Sequence, residues 1–180
     1  VPRNRLARVN SDGTVDTAFT LDAGGRPLVS VAQPDGKLLI GGSFTSVGGL
    51  TRPYLARLNA NGTVDAAFTP AAPNGRVLAI ARQTDGKLII AGTFTIVGTT
   101  ERNYVARLNA DGSLDSGYNP NSNGQIGALA LQADGKLLVG GNFTTFTPNG
   151  ATTSTVRTYL ARLNADGTVD TFDPGPSSTV

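Results

Sequence analysis

The sequence predicts an all-β protein made of β-propeller blades, each a four-stranded antiparallel sheet, with about three and a half blades in the chain. Three observations predict it. Two motifs alternate along the 180 residues, each returning after roughly fifty positions. Each motif is a pair of short apolar runs around an Asp-Gly or Asn-Gly step, the strongest short-range hairpin signal, because Gly takes the positive φ that tight turns require. No segment carries apolar residues at helical spacing over ten positions, and Gly or Pro interrupts the chain throughout.

The first motif reads LARVNSDGTVD at 6–16, LARLNANGTVD at 55–65, VARLNADGSLD at 105–115 and LARLNADGTVD at 160–170. A three-residue loop such as Ala110-Asp111-Gly112 pairs Asn109 with Ser113 and Leu108 with Leu114. It also sets Arg107 opposite Asp115, and by the same register Arg8 opposite Asp16, Arg57 opposite Asp65 and Arg162 opposite Asp170. Such cross-strand ion pairs contribute about 0.2–1 kcal/mol each and mainly fix register. The second motif reads VAQPDGKLLIGGSFT at 31–45, IARQTDGKLIIAGTFT at 80–95 and LALQADGKLLVGGNFT at 129–144. Its strands, such as Leu88-Ile89-Ile90, are apolar at consecutive positions, which fits strands covered on both faces.

Two hairpins per repeat give four strands, at about 77–82, 87–94, 104–109 and 113–118 in the central copy. A sheet with two apolar faces hides both by stacking on like neighbours, and four strands in 40–50 residues match a propeller blade. A parallel β-helix has shorter coils and no need of Asp-Gly hairpins. The chain is one repeat domain, 1–180: a half blade at 1–20, blades at about 28–69, 77–119 and 126–173, and the start of a next repeat or a tail at 174–180, where Ser178-Thr179-Val180 align with Gly75-Arg76-Val77. Propellers close with four to eight blades. The ring is therefore completed by further repeats of a longer chain or by identical chains, two copies supplying seven blades. The absence of an initiator Met suggests a processed or excised piece.

Composition narrows function mostly by exclusion. Charged residues make up 16% against a usual quarter, the net charge is +2, and no run of Lys or Arg forms a stripe, so no nucleic-acid footprint is present. No apolar stretch approaches the ~18–20 residues of a membrane-spanning helix. Cys and His are absent, which removes the usual nucleophile and general base and leaves zinc without nitrogen or sulfur ligands. Glu101 is the only Glu, and ten of the twelve Asp residues sit at recurrent positions. A residue needed once by chemistry does not recur in every blade. Asp22, Glu101 and Asp173 lie outside the recurrent positions but in non-equivalent places. The sequence thus calls for no catalysis and no cofactor.

Asn109, Asp111, Ser113 and Asp115 offer oxygens at alternate positions, as calcium loops do, but Gly112 stands at position four where an EF-hand-type loop needs Gly at six. Turn-forming side chains explain the same residues, and no metal is assigned. Lys37, Lys87 and Lys136 each follow an Asp-Gly turn; a basic rim for an anionic ligand and plain solvated hairpin exits both fit them, the second better. Phe44, Phe94 and Phe143, and Phe19, Phe68, Tyr118 and Phe172, recur as inter-blade packing residues, as do Tyr54, Tyr104 and Tyr159 before the LAR motif. A ligand, if bound, belongs to the non-recurrent loops 46–53, 96–103 and 145–158.

The order LARLNADGTVD, a Pro- or Gly-rich joint such as FTPAAPNG (68–75), then AIARQTDGKLIIAGTFT, resembles the bacterial delta-60 repeat family over nearly the whole chain. The resemblance implies propeller blades in a large secreted or cell-surface bacterial protein with a scaffold or adhesive role, and it brings no catalytic residue. A carbohydrate-binding propeller is the alternative. The implied partners are other repeats, a second copy closing the ring, or a glycan or surface protein. Two departures from the pattern, the longer 145–158 segment and the shorter DTFD at 170–173, fall in the last blade.

Overall fold

The computed structural model describes residues 5–175. Its strands run β1 Pro27–Ala32, β2 Leu38–Gly42, β3 Ser46–Val47, β4 Leu50–Thr51 and β5 Leu55–Leu58. The central repeat has β6 Val77–Arg82, β7 Leu88–Gly92, β8 Ile96–Val97, β9 Thr100–Glu101 and β10 Val105–Leu108. The third has β11 Ile126–Leu131, β12 Leu137–Gly141, β13 Thr145–Phe146, β14 Thr155–Val156 and β15 Leu160–Leu163. All pairings are antiparallel, giving three sheets in the orders β1-β2-β5, β6-β7-β10 and β11-β12-β15, each with a two-stranded ribbon. The segment 176–180, with the anticipated start of a next repeat, lies outside the described residues, as does 1–4 of the half blade.

The seven hairpin turns of the two motifs are built alike. In the central repeat the amide of Gln83 donates to the carbonyl of Lys87 (2.8 Å), and Gly86 donates back to Gln83 (3.0 Å). The same pair of bonds closes 109–113, where Asn109 donates to Ser113 and Gly112 to Asn109. Asp111 Oδ1 accepts from both the amide and the hydroxyl of Ser113 (2.8 and 2.7 Å), so the side chain imposes the turn on its own backbone. Gly112 has a φ of +96°, and a Cβ there would press on Pro70 and the Phe68 ring of the preceding repeat. Glycine at 112 is thus required twice over, for the turn and for the close approach.

The fourth strand of each blade is shorter than the sequence suggests. The expected 113–118 strand is a single antiparallel bridge, Leu108 to Leu114. Asp115 ends it, because its Oδ1 accepts from the amide of Gly117 (3.1 Å) and turns the chain away from the ladder. Conversely, 46–53, 96–103 and 145–158 are not plain loops; each carries a ribbon, β3-β4, β8-β9 and β13-β14. The extra residues of the third copy form a short 3₁₀ turn at Pro148–Gly150 inside that ribbon's connection.

Packing is between repeats. β6 lies between β1 and β11. Three apolar clusters follow: Phe19, Ile40, Phe44 and Leu58 between the first hairpin and the first blade; Phe68, Val77, Ile80, Ile90 and Phe94 between the first and second; Tyr118, Ile89, Val139 and Phe143 between the second and third. Each interface joins one aromatic from a second-strand end to one following a bridge, as the recurrence of these residues suggested; Phe172, after the last bridge, is instead 36% exposed. The consecutive apolar run Leu88–Gly92 is buried throughout. Among the described residues no helix is long and apolar enough to cross a membrane.

Candidate functional site

The best-built polar arrangement is a clamp that recurs in every blade. Asp65 Oδ2 accepts from Lys37 Nζ and from Arg57 Nε, both at 2.8 Å. Asp115 takes Lys87 and Arg107 at the same distances, and Asp170 takes Lys136 and Arg162 at 2.7 Å. The arginine comes from the third strand and the lysine from the turn before the second, so one carboxylate ties three parts of a blade. In the first hairpin Arg8 meets Asp16 (Nε–Oδ2 2.7 Å). The arginine-to-aspartate register read from the sequence is therefore present in all four copies.

The arginines do two further things, Arg162 only the first of them. Its guanidinium lies over the aromatic ring that follows: Arg57 over Phe68 and Arg107 over Tyr118 at 4.4 Å, Arg162 over Phe172 at 4.8 Å. Its Nη1 reaches the next repeat, Arg8 to the carbonyl of Ala60 (2.6 Å), Arg57 to Ala110 (3.2 Å) and Arg107 to Ala165 (2.6 Å).

The lysines depart from both readings offered for them. They are not a free basic rim and not solvated turn exits: their side chains are about one third exposed (31%, 34% and 33%) with the ammonium spent on the clamp aspartate. The cations hold the carboxylates low. Asp65 is brought from 3.8 to about 2, by Lys37 first, against the raising effect of its own burial, with Arg57 adding to the lowering. Asp170 is lowered further, by Lys136 first. Such groups are ionised at neutral pH and poorly matched to proton transfer there.

The oxygens considered for calcium are engaged locally. Asn109 Nδ2 donates to Ser113 Oγ (2.9 Å), Asp111 accepts from Ser113, and Asp115 belongs to the clamp. Among the described residues no three of Asp, Glu, His and Cys gather as a metal would need. Asp22, Glu101 and Asp173 remain apart: Glu101 Oε1 accepts from Asn103 (2.8 Å) on the second blade's ribbon, and Asp173 sits 3.4 Å from Arg157 in the third. Beside Glu101 the ribbon forms a shallow groove with Thr95, Ile96, Thr99 and Asn103.

Tyr54, Tyr104 and Tyr159 hold left-handed backbone, with φ of 64°, 64° and 63°, and Arg5 occupies the same place at 68°. Two recurrences visible in the sequence were not singled out there. Arg102 donates to the carbonyls of Glu101 (2.7 Å) and Ser116 (3.0 Å), tying ribbon to blade, with Arg52 and Arg157 at the same step before the tyrosine. Asn74 and Asn123 each accept two ribbon amides, at 95–96 and 144–145. Aligning the copies at R-x-Y and at N-G would have revealed them.

No curated protein matches the chain. A family model described as a domain of unknown function (DUF5122) β-propeller matches residues 1–19, 33–68, 83–118 and 132–172. Each complete match runs from the end of one blade's first strand, through its clamp lysine, to the aromatic over which its arginine lies. With most of its length matched repeat by repeat, the chain belongs to the DUF5122 β-propeller family.

Proposed function

We propose that the chain is a structural, adhesive propeller module of a bacterial extracellular or cell-surface protein, without chemistry of its own. One observation carries this reading: the best-connected polar groups are repeated blade by blade and are spent on holding each blade together and, through the arginine, on joining it to the next. Lys87, Asp115 and Arg107 satisfy one another and Arg107 continues into the next blade. The extracellular setting rests on the resemblance to the delta-60 repeats. Antibody raised against residues 5–175 tests it on cells of the source bacterium. Labelling of intact cells is expected; labelling only after lysis would overturn the reading.

A second reading, a carbohydrate-binding propeller, is favoured by the groove at Thr95, Ile96, Glu101 and Asn103, which pairs an exposed apolar side chain with polar ones on a ribbon. It predicts saturable binding of a defined sugar, weakened by Glu101→Ala. A glycan array without hits speaks against this second reading alone.

A further inference from the structure

The longer ribbon connection of the third repeat lays Asn149 across the linker and the Asp-Gly turn of its own blade. The amide of Asn149 donates to the carbonyl of Asn119 (2.7 Å), and its Oδ1 accepts from the amide of the same residue (3.1 Å). Its Nδ2 donates to the carbonyl of Asp166 in the hairpin turn (3.4 Å). One asparagine thus meets both main-chain groups of a linker residue and a turn carbonyl. The first repeat has the same frame. Tyr118 and the bridged Ser122 are spaced as Phe19 and the bridged Ala23 are, and the Gly48 amide meets the Asp22 carbonyl as Thr147 meets Asn121. Thr20 therefore corresponds to Asn119, and Asn61 to Asp166.

In the first repeat the ribbon turns in two residues, Gly48 and Gly49, and stops short of that place. Among the described residues the amide and carbonyl of Thr20 and the carbonyl of Asn61 have no hydrogen-bond partner. Thr20, Leu21, Asp22, Gly49, Asn61 and Gly62 line a cavity there of about 310 Å³. A side chain added at Gly49 would meet nothing within 4 Å. The second repeat closes the place differently. Its linker from Phe68 to the bridged Pro73 is longer, so the Ala71 amide donates to the Gly112 carbonyl (3.0 Å) and Pro70 lies against Gly112. A short linker and a two-glycine turn, both within residues 18–63, thus open the cavity in the first repeat.

We propose that this cavity is a socket for an asparagine carried on a turn of a partner protein, held as Asn149 is held in the third repeat. The incoming amide donates to the carbonyl of Thr20, the side-chain oxygen accepts from the Thr20 amide, and the side-chain nitrogen donates to the carbonyl of Asn61. A few convergent polar groups in a concave site fix orientation and supply specificity. Aspartate would lose the donor and bring a second carboxylate into a cavity that Asp22 already lines, so the socket selects the carboxamide. The proposal rests on the reading of the chain as an adhesive module and names what such a module would grip, but its test does not depend on location.

The probe is a cyclised peptide of residues 145–156, this chain's own Asn-bearing turn, closed so that little ordering remains to be lost on binding. It is titrated into the full chain and followed by amide NMR. Saturable shifts at Thr20, Asn61 and Gly62 are expected. Asn149→Ala and Asn149→Asp in the peptide should each weaken binding about tenfold or more, since each leaves a main-chain group of the socket unpaired. Replacing Gly48-Gly49 in the protein by residues 147–154 fills the cavity from within and should abolish binding. Where that graft fails to fold, the two peptide variants decide the matter alone. No saturation by about 1 mM, equal affinity of the three peptides, or shifts at Asn119 and Asp166 in place of Thr20 and Asn61 would each overturn the proposal. Cell labelling would be unaffected by any of these results.

Discussion

Arg107 donates through Nη1 to the carbonyl of Ala165, 58 residues further along the chain, at 2.6 Å, while its Nε holds Asp115 at 2.8 Å. One side chain thus closes its own hairpin and grips the next. Arg162, the same residue one repeat later, makes both its bonds to Asp170 Oδ1.

The first prediction follows from that contrast. Arg107→Met keeps the length of the stem but leaves the Ala165 carbonyl unpartnered and Asp115 with Lys87 alone. Hydrogen bonds to charged groups contribute about 1.5–3 kcal/mol each. Arg107→Met should therefore lower stability by about 1 kcal/mol more than Arg162→Met, read as the difference between their denaturant midpoints at unchanged slope. Equal costs would mean that the inter-blade bond contributes nothing.

The clamp also predicts an acid limb. Asp65 titrates at about 2 in the folded chain against 3.8 ordinarily, so the unfolded chain binds the proton more readily. The stabilisation is fully present above the unfolded value and is lost as pH falls from about 4 through about 2. Asp115 and Asp170 are lowered in the same direction and add to the loss on acidification. Asp65→Asn should flatten the fall of melting temperature between those pH values, and an unchanged slope would show that other groups set it.

Much of this was legible in the residues. Recurrence at a fixed spacing exposed the repeat, and the Asp-Gly and Asn-Gly steps located the hairpin turns of the two motifs because these residues act through local geometry, which a sequence displays. The fourth strand was overread because the same Asp115 that faces Arg107 also caps Gly117, and only three-dimensional placement shows the cap ending the ladder. The lysines were misread for a related reason. Lys87 and Asp115 are 28 residues apart, and nothing local distinguishes a lysine reaching across a sheet from one in solvent.

Backbone conformation at the tyrosines gives a third prediction. At an ordinary strand position Gly is worse than Ala, but a φ of +64° costs a residue with a Cβ about 1–2 kcal/mol. Tyr104→Gly and Tyr104→Ala lose the same ring, so the usual order should reverse, the glycine variant being more stable by about 1 kcal/mol. Thermal melts of the two variants decide it, and an alanine variant of equal or higher stability would argue against the left-handed assignment.

The last prediction uses the ends of the blade stack. Ile89 on β7 faces the third blade and is 1% exposed. Leu138 on β12 occupies the equivalent position: Ile89 pairs with Arg107 and Leu138 with Arg162. Its own open side carries a groove with Ala128, Ala130 and Leu160. Truncating a fully packed aliphatic costs about 2–5 kcal/mol, and less where the cavity opens to solvent. Ile89→Ala should fall in that range and Leu138→Ala at about half of it or below, with Leu88→Ala and Leu108→Ala as fully buried controls. If Leu138→Ala cost as much as Ile89→Ala, and the difference shrank on dilution, the third blade's face would be covered in solution by a second copy of the chain. A concentration-independent equality would instead place covering residues within the same chain.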